Sequence, residues 1–224
     1  MAAKKQTVFV LHTSFALVEP LSKLFKQEIP DVRIVNIVDD SLLADARAAG
    51  HVTPSIVRRM VAYATAAQSA GADAIFNTCS SVGEVADVMR QAVDIPVVKI
   101  DDVMAAEAVQ SGKTIAVVAT VPTTLGPTVR LVERKAREAG KEVTINRHLV
   151  EGAFDVLVAG DEKKHEEMVS AEIVRAGQAA DVVVLAQASM ARLVPQLEGK
   201  LPVPVLSSPE RAVRQLRQVL ETGG

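Results

Sequence analysis

One cysteine, Cys79, occurs in the 224 residues, in the stretch IFNTCSSVGEV (75–85). A thiol there has two opposite readings. Packed among apolar side chains it is a small inert hydrophobe. Ionised at a strand end or a helix start, it is a nucleophile or a carbon acid/base. Its place between an apolar run and a helix start favours the second reading, and Asn77, Thr78, Ser80 and Ser81 flank it. His12 follows the first apolar run and could be a second acid/base group, although a packed or capping histidine is the commoner case. His51, His148 and His165 read as loop, strand-end and helix-surface residues. Asp39-Asp40 and Asp101-Asp102 suggest paired carboxylates, but both pairs follow apolar runs, where capping the next helix is the ordinary role. No Cys/His cluster suggests a metal site, and a single cysteine forms no internal disulfide.

The elements that must position these groups alternate. Short β-branched runs at 7–11, 33–38, 73–78 and 95–100 read as parallel strands buried on both faces. A second set follows at 114–119, 142–147, 181–186 and 203–207. Helical patterns lie between them. Thr53-Pro54 places a cap before a proline at the first helical position, opening a helix that runs towards Ser69-Ala70-Gly71. Ser81 with Glu84 fits a capping box for a helix to about Gln91, and Ser207 with Glu210 fits another. Alternation of this kind predicts an α/β fold with parallel sheets and right-handed crossovers.

The two sets align with each other. Asp73 falls on Asp181, Met60-Val61 on Met168-Val169, Pro96 on Pro204, and Thr7 on Thr114. Two pseudo-symmetric lobes are therefore expected, one over 1–100 and one over 101–206. The helix at 101–112 should pack on the second lobe, and the carboxy-terminal helix at 207–224 should return to the first. Ligands of open α/β sheets bind beyond the carboxyl ends of the strands. That rule selects four loops: His12-Thr13-Ser14, Cys79-Ser80-Ser81, Thr120 to Thr124 (with Thr123), and Gln187-Ala188-Ser189. They are rich in small hydroxyls and contain no lysine or arginine. Backbone N–H groups at helix starts with Ser and Thr hydroxyls suit a small carboxylate, though the same residues are common caps.

Composition narrows the setting. Hydrophobic residues make up 49% of the chain and charged residues 23%, with a net charge of −2. This is an ordinary globular balance, with no signature of a nucleic-acid or membrane surface. The stretch MAAKKQTVFVL is too short in apolar residues for a signal peptide, and no run reaches the ~18–20 residues needed to span a bilayer. A reduced thiol and a cytoplasmic location are the expectation, with a homo-oligomer compatible with all of this.

The stretches NTCSS, VVATVPTT and VVLAQASM, in two related halves of this length, resemble the aspartate/glutamate racemase superfamily. That superfamily includes amino-acid and hydantoin racemases, maleate isomerase and arylmalonate decarboxylase. The resemblance covers nearly the whole chain and implies a site between the lobes, no cofactor, and proton transfer at a carbon next to a carboxylate. It implies the first-lobe thiol at Cys79, with Ser80 and Ser81 gripping the substrate carboxylate. The second-lobe thiol would fall at position 187, where this chain has Gln187. An amide moves no proton near neutral pH, but its N–H can hydrogen-bond an oxyanion.

The expectation is therefore an isomerase or racemase acting through a single thiol. Its catalytic pair is Cys79 and Gln187, facing each other at ~7–8 Å if near-attack distances hold on both sides. Substrate-binding residues are Thr13, Ser14, Asn77, Thr78, Ser80, Ser81, Thr120, Thr123, Thr124, Ala188 and Ser189, with no metal. Decarboxylation of a malonate-like acid is the alternative enzyme reading. A non-catalytic small-carboxylate-binding protein is the alternative from another class.

Overall fold

Why the chain divides where it does follows from its strand order. The structure, a computed structural model, describes residues 5–223. The first residues of the stretch read for a signal and the last residue of the 207–224 segment lie outside these. Residues up to Ile100 together with those from Pro209 onward form one unit, and Asp101–Ser208 form the other.

In the first unit the elements run β1 (Thr7–His12), α1 (Val18–Glu28), β2 (Arg33–Val38), α2 (Ser41–Ala49), α3 (Pro54–Ser69), β3 (Ala74–Asn77), α4 (Val85–Ala92) and β4 (Val97–Lys99). The sheet is all parallel, in the order β2-β1-β3-β4. In the second unit α5 (Asp102–Ser111) precedes β5 (Thr114–Ala119), α6 (Pro122–Glu138), β6 (Thr144–Leu149), α7 (Ala153–Val158), α8 (Glu162–Gly177), β7 (Val182–Leu185), α9 (Val194–Leu197) and β8 (Val205–Leu206). Its sheet has the same order, β6-β5-β7-β8, again parallel. The last helix, α10 (Pro209–Thr222), packs on α1 and β4, whereas α5, which follows β4 in sequence, packs on α6 and β7.

The repeat extends to individual hydrogen bonds. Asp73 N–H donates to Thr7 O (2.7 Å) and Asp181 N–H to Thr114 O (2.8 Å). Ile75 N–H donates to Pro96 O (2.8 Å) and Val183 N–H to Pro204 O (3.0 Å). Both aspartates also clamp the start of the central strand: Asp73 Oδ2 accepts from Thr7 N–H, and Asp181 Oδ2 from Lys113 and Thr114 N–H. The two backbone bonds hold the Asp181 carboxyl below its usual range.

Burial explains the strand composition, with one correction. The inner strands β1, β3, β5 and β7 are buried along nearly all their length. The strands β2 and β6, expected to be buried on both faces, lie at sheet edges and alternate between exposed and half-buried. In the first unit one sheet face packs Leu11, Ile75 and Val97 against Ile56, Met60, Val85 and Met89 of α3 and α4. On the other strands' side Phe25 of α1 meets Phe76 of β3 edge to face, with centroids 5.6 Å apart.

Helix starts also depart from expectation in places. Thr53 caps α3 as predicted, its hydroxyl accepting from Ile56 N–H (3.4 Å), with Pro54 at the first position. Helix α10 begins at Pro209, and Glu210 in its first turn lies 3.7 Å from Arg214. Asp40 and Asp101 stand at the N-cap positions of α2 and α5 but make no side-chain cap bond. His165, expected on a helix surface, is buried, and its Nδ1 lies 2.8 Å from Ala153 O, tying α8 to α7. Its position on the inner stripe of α8, beside Val169 and Ile173, accounts for this.

Candidate functional site

In the first unit the carboxyl ends of β1 and β3 are hydrogen-bonded neighbours, which brings His12-Thr13-Ser14 beside Asn77-Thr78-Cys79-Ser80-Ser81. Thr78 links them: its N–H donates to Leu11 O (3.1 Å), and its hydroxyl donates to the same oxygen (3.0 Å). The hydroxyl of Ser14 accepts from Ala16 N–H (3.2 Å) and so caps the short turn at Phe15–Leu17. Thr13, Ser80 and Ser81 are buried at this end of the sheet.

Cys79 is half-buried and extended, and caps a single 3-10 turn, Ser80–Val82. Ser81, expected to cap the start of an α-helix, lies inside this turn. Serine and glycine are weak helix formers, and the turn closes instead by Gly83 N–H on Ser80 O (3.1 Å). The α-helix proper starts only at Val85. Cys79 thus stands a full turn away from the α-helical N-terminus whose positive end was expected to favour its thiolate, and a helix dipole fades over that distance.

Asn77 holds this turn. Its Oδ1 accepts from Cys79 N–H (3.3 Å), which orients the amide and leaves Nδ2 as the donor half. That Nδ2 is buried without a hydrogen-bond partner, in a residue 1% exposed. An unmet buried donor costs about 1–3 kcal/mol.

His12 is 2% exposed and sits between Asn36 Oδ1 (3.0 Å from Nε2) and the Thr78 hydroxyl (3.5 Å from Nδ1). Burial pushes its pKa down, against a smaller opposing effect of the Asn36 bond. It is a neutral, fixed ring near pH 7. Next to it, Asp39 N–H donates to His12 O (3.0 Å), and the Asp39 carboxylate receives Tyr63 O–H (2.8 Å) and Arg59 Nη1 (3.3 Å). Burial raises that carboxyl's pKa, but bonds from Ser41 and Tyr63 and the Arg59 charge outweigh it and hold it below the usual value. This network braces the end of β2.

Lys99 was missed in the sequence, where 95–100 was read only as a strand. It is 3% exposed and ends β4, in register with Asn77. A lysine closing an otherwise apolar run was the available signal.

In the second unit Gln187 and Thr120 meet across the ends of β7 and β5. Thr120 N–H donates to Gln187 Oε1 (2.6 Å), and Gln187 Nε2 donates to the Thr120 hydroxyl (2.7 Å). The amide oxygen is engaged, and one of the two N–H bonds is used. Thr123 and Thr124 lie in the first turn of α6, and the Thr123 hydroxyl oxygen is buried without a partner. Ala188 is buried in a 3-10 turn (Ala188–Leu193), while Ser189 is exposed. Among the described residues no group of three or more His, Cys, Asp or Glu could hold a metal, and no helix is long and apolar enough to cross a membrane.

The fold is shared with solved structures. An allantoin racemase from Klebsiella pneumoniae is 17% identical, with 98% of this chain and 89% of that one covered and a TM-score of 0.70. A glutamate racemase from Bacillus anthracis is 17% identical, with coverage of 98% and 83% and a TM-score of 0.73. A mutant of arylmalonate decarboxylase is 18% identical, with coverage of 97% and 94% and a TM-score of 0.62. No curated protein matches the chain. The Asp/Glu/Hydantoin racemase family model matches residues 8–216, nearly the full length, and the chain belongs to that family.

Proposed function

We propose that this protein is a cofactor-independent enzyme that moves a proton at the carbon next to the carboxylate of a small acid, with Cys79 as the reacting group. The observation that carries this reading is the unpartnered Nδ2 of Asn77 in the turn that holds Cys79. A buried donor beside a thiol is what a developing enediolate oxygen requires. Ser80, Ser81 and Thr13 supply further polar groups for the substrate carboxylate, and Thr120, Thr123 and Thr124 do so in the second unit.

In the forward step the thiolate takes the α-proton and the electron pair moves into the carboxylate, giving an enediolate held by the Asn77 amide. Racemisation then needs a proton from the opposite face. At the position that the internal repeat pairs with Cys79 the chain has Gln187. Its amide steadies charge through its remaining N–H but transfers no proton. One thiol that returns the proton to the same face of the α-carbon regenerates the substrate with that hydrogen exchanged. A net isomerisation follows only where the proton is returned to a different carbon of an unsaturated acid. A reduced thiol of this kind fits the cytoplasm.

The engagement of Gln187 by Thr120 favours decarboxylation as the second reading. When a malonate-like acid loses carbon dioxide, the C–C electron pair stays on the α-carbon, and a single S–H delivers the one proton needed. No second acid is involved. Arylmalonate decarboxylase is among the proteins of similar fold.

The test is incubation with amino acids, hydantoins, malonates and maleate in deuterated water, read by NMR. Solvent deuterium should enter the α-position of one class, or carbon dioxide should leave it, and Cys79→Ala should abolish either. Binding of small carboxylates with no exchange, isomerisation or decarboxylation would leave only the non-catalytic reading.

A further inference from the structure

We propose that the groove between α1 and β2 in the first unit is a second binding site, for a small carboxylic acid with an apolar body, and that its occupancy reaches the Cys79 loop through Asn36 and His12. The inference goes beyond the proposed reaction and holds whether or not Cys79 is the reacting group.

The groove follows from the periodicities of its two walls. Ser22, Phe25, Lys26 and Ile29 recur at helical spacing and form one stripe along α1 and its carboxyl end. Ile34 and Asn36 are two residues apart on β2 and leave the same face of the sheet. Together they line a cavity of about 370 Å³, within the range usual for small-molecule sites. Phe25 and Ile29 are buried and Ile34 is half-buried, so the floor is apolar. Lys26 and Asn36 are exposed and Ser22 is half-buried.

The polar groups of this groove are donors without acceptors. The Lys26 ammonium, the Ser22 hydroxyl and the N–H half of the Asn36 amide make no hydrogen bond or ion pair with any described residue. Carboxylates near by are used elsewhere. Glu19 pairs with Lys23, and Glu28 with Arg214 and Arg217 of α10. Asp31, in the connection from α1 to β2, makes no bond to Lys26 and is not part of the walls. Arg33 leaves the face of β2 opposite to Ile34 and Asn36. An ammonium, a hydroxyl and an amide N–H around an apolar floor complement a carboxylate carried on a hydrocarbon body.

The link to the thiol loop runs through one side chain that serves both places. Asn36 Oδ1 lies 3.0 Å from His12 Nε2, and His12 Nδ1 lies 3.5 Å from the hydroxyl of Thr78, the residue before Cys79. The oxygen half of the Asn36 amide is thus spent on the buried ring, which leaves the N–H half for the groove. A ligand that draws this amide moves the acceptor that faces His12.

The experiment is a proton NMR titration of the histidine ring signals with sodium octanoate, the His12 signal being assigned by its loss in His12→Gln. His51, His148 and His165 serve as controls. Octanoate should shift the His12 signal saturably and leave the controls in place. Lys26→Glu, at an exposed position, should weaken binding at least about tenfold, and Lys26→Arg should keep it. Octanamide lacks the charge and acetate lacks the apolar body, so each should bind at least about tenfold more weakly than octanoate. The proposal is overturned by an absence of saturable binding, by binding indifferent to Lys26→Glu, or by binding that leaves the His12 signal unmoved. Shifts that grow linearly in all the histidine signals would mark a detergent effect and overturn it too. Protection of Cys79 from iodoacetamide that persists in Lys26→Glu would put octanoate at the thiol instead, with the same consequence.

Discussion

Replacing Asn77 by alanine separates what this residue does for the fold from what it does for a ligand. Two effects on stability oppose each other. Losing Oδ1 leaves the Cys79 N–H without its acceptor, which costs about 1–3 kcal/mol when buried. Losing Nδ2 removes a donor that is already buried without a partner, which returns about 1–3 kcal/mol. The net change should stay within about 2 kcal/mol, a shift of roughly 4–8 °C or less in Tm for a chain of this size. Turnover has no such compensation. Losing a preorganised donor to a developing oxyanion costs about 10²–10³ in rate. Asn77→Ala should therefore melt close to the unmodified protein by calorimetry yet exchange deuterium at least about a hundredfold more slowly. A variant that exchanges at nearly the normal rate would show that the amide faces no oxyanion. A collapse in Tm would show that its N–H is not the idle donor described above.

Other substitutions test the remaining parts. Cys79→Ala should abolish exchange, whereas Gln187→Ala should lower it only in part; equal losses in the two NMR assays would contradict single-thiol chemistry. Gln187→Cys should create or raise racemisation on a chiral substrate, read by polarimetry, at the expense of the bonds to Thr120. His12 has a folded pKa held below 6.5 by burial, so the unfolded chain takes up the proton first as pH falls through that value. Its contribution to stability should be complete above pH 6.5 and decline below it, and urea midpoints of His12→Gln should lose that part of the slope. Gly112→Ala would put a Cβ 2.2 Å from Asp181 Cβ, a backbone-anchored atom that cannot swing away. It should destabilise the second unit by about 1–3 kcal/mol, measured by denaturant titration, and an unchanged midpoint would mean that the clamp yields freely.

The sequence by itself carried the architecture, because strand burial and helix capping are local or periodic. The eight apolar runs, the Thr53-Pro54 helix start and the repeat aligning Asp73 with Asp181 are all legible in one dimension. The repeat is carried by residues whose backbone bonds recur in both sheets, so the same local pressures wrote it twice. What the chain could not show is which strands lie at an edge, since β2 and β6 have the composition of inner strands and differ only in having one neighbour. Nor could it show that Cys79 caps a 3-10 turn and stands away from the α-helix, because Ser80 to Glu84 can close with either bonding pattern. Only tertiary structure decided the partners of the polar groups: Gln187 on Thr120, His12 between Asn36 and Thr78, Asn77 with one half of its amide idle, and Lys99 buried at the end of β4. Each of these depends on neighbours that strand pairing supplies from distant parts of the chain, and no spacing along the sequence encodes that proximity.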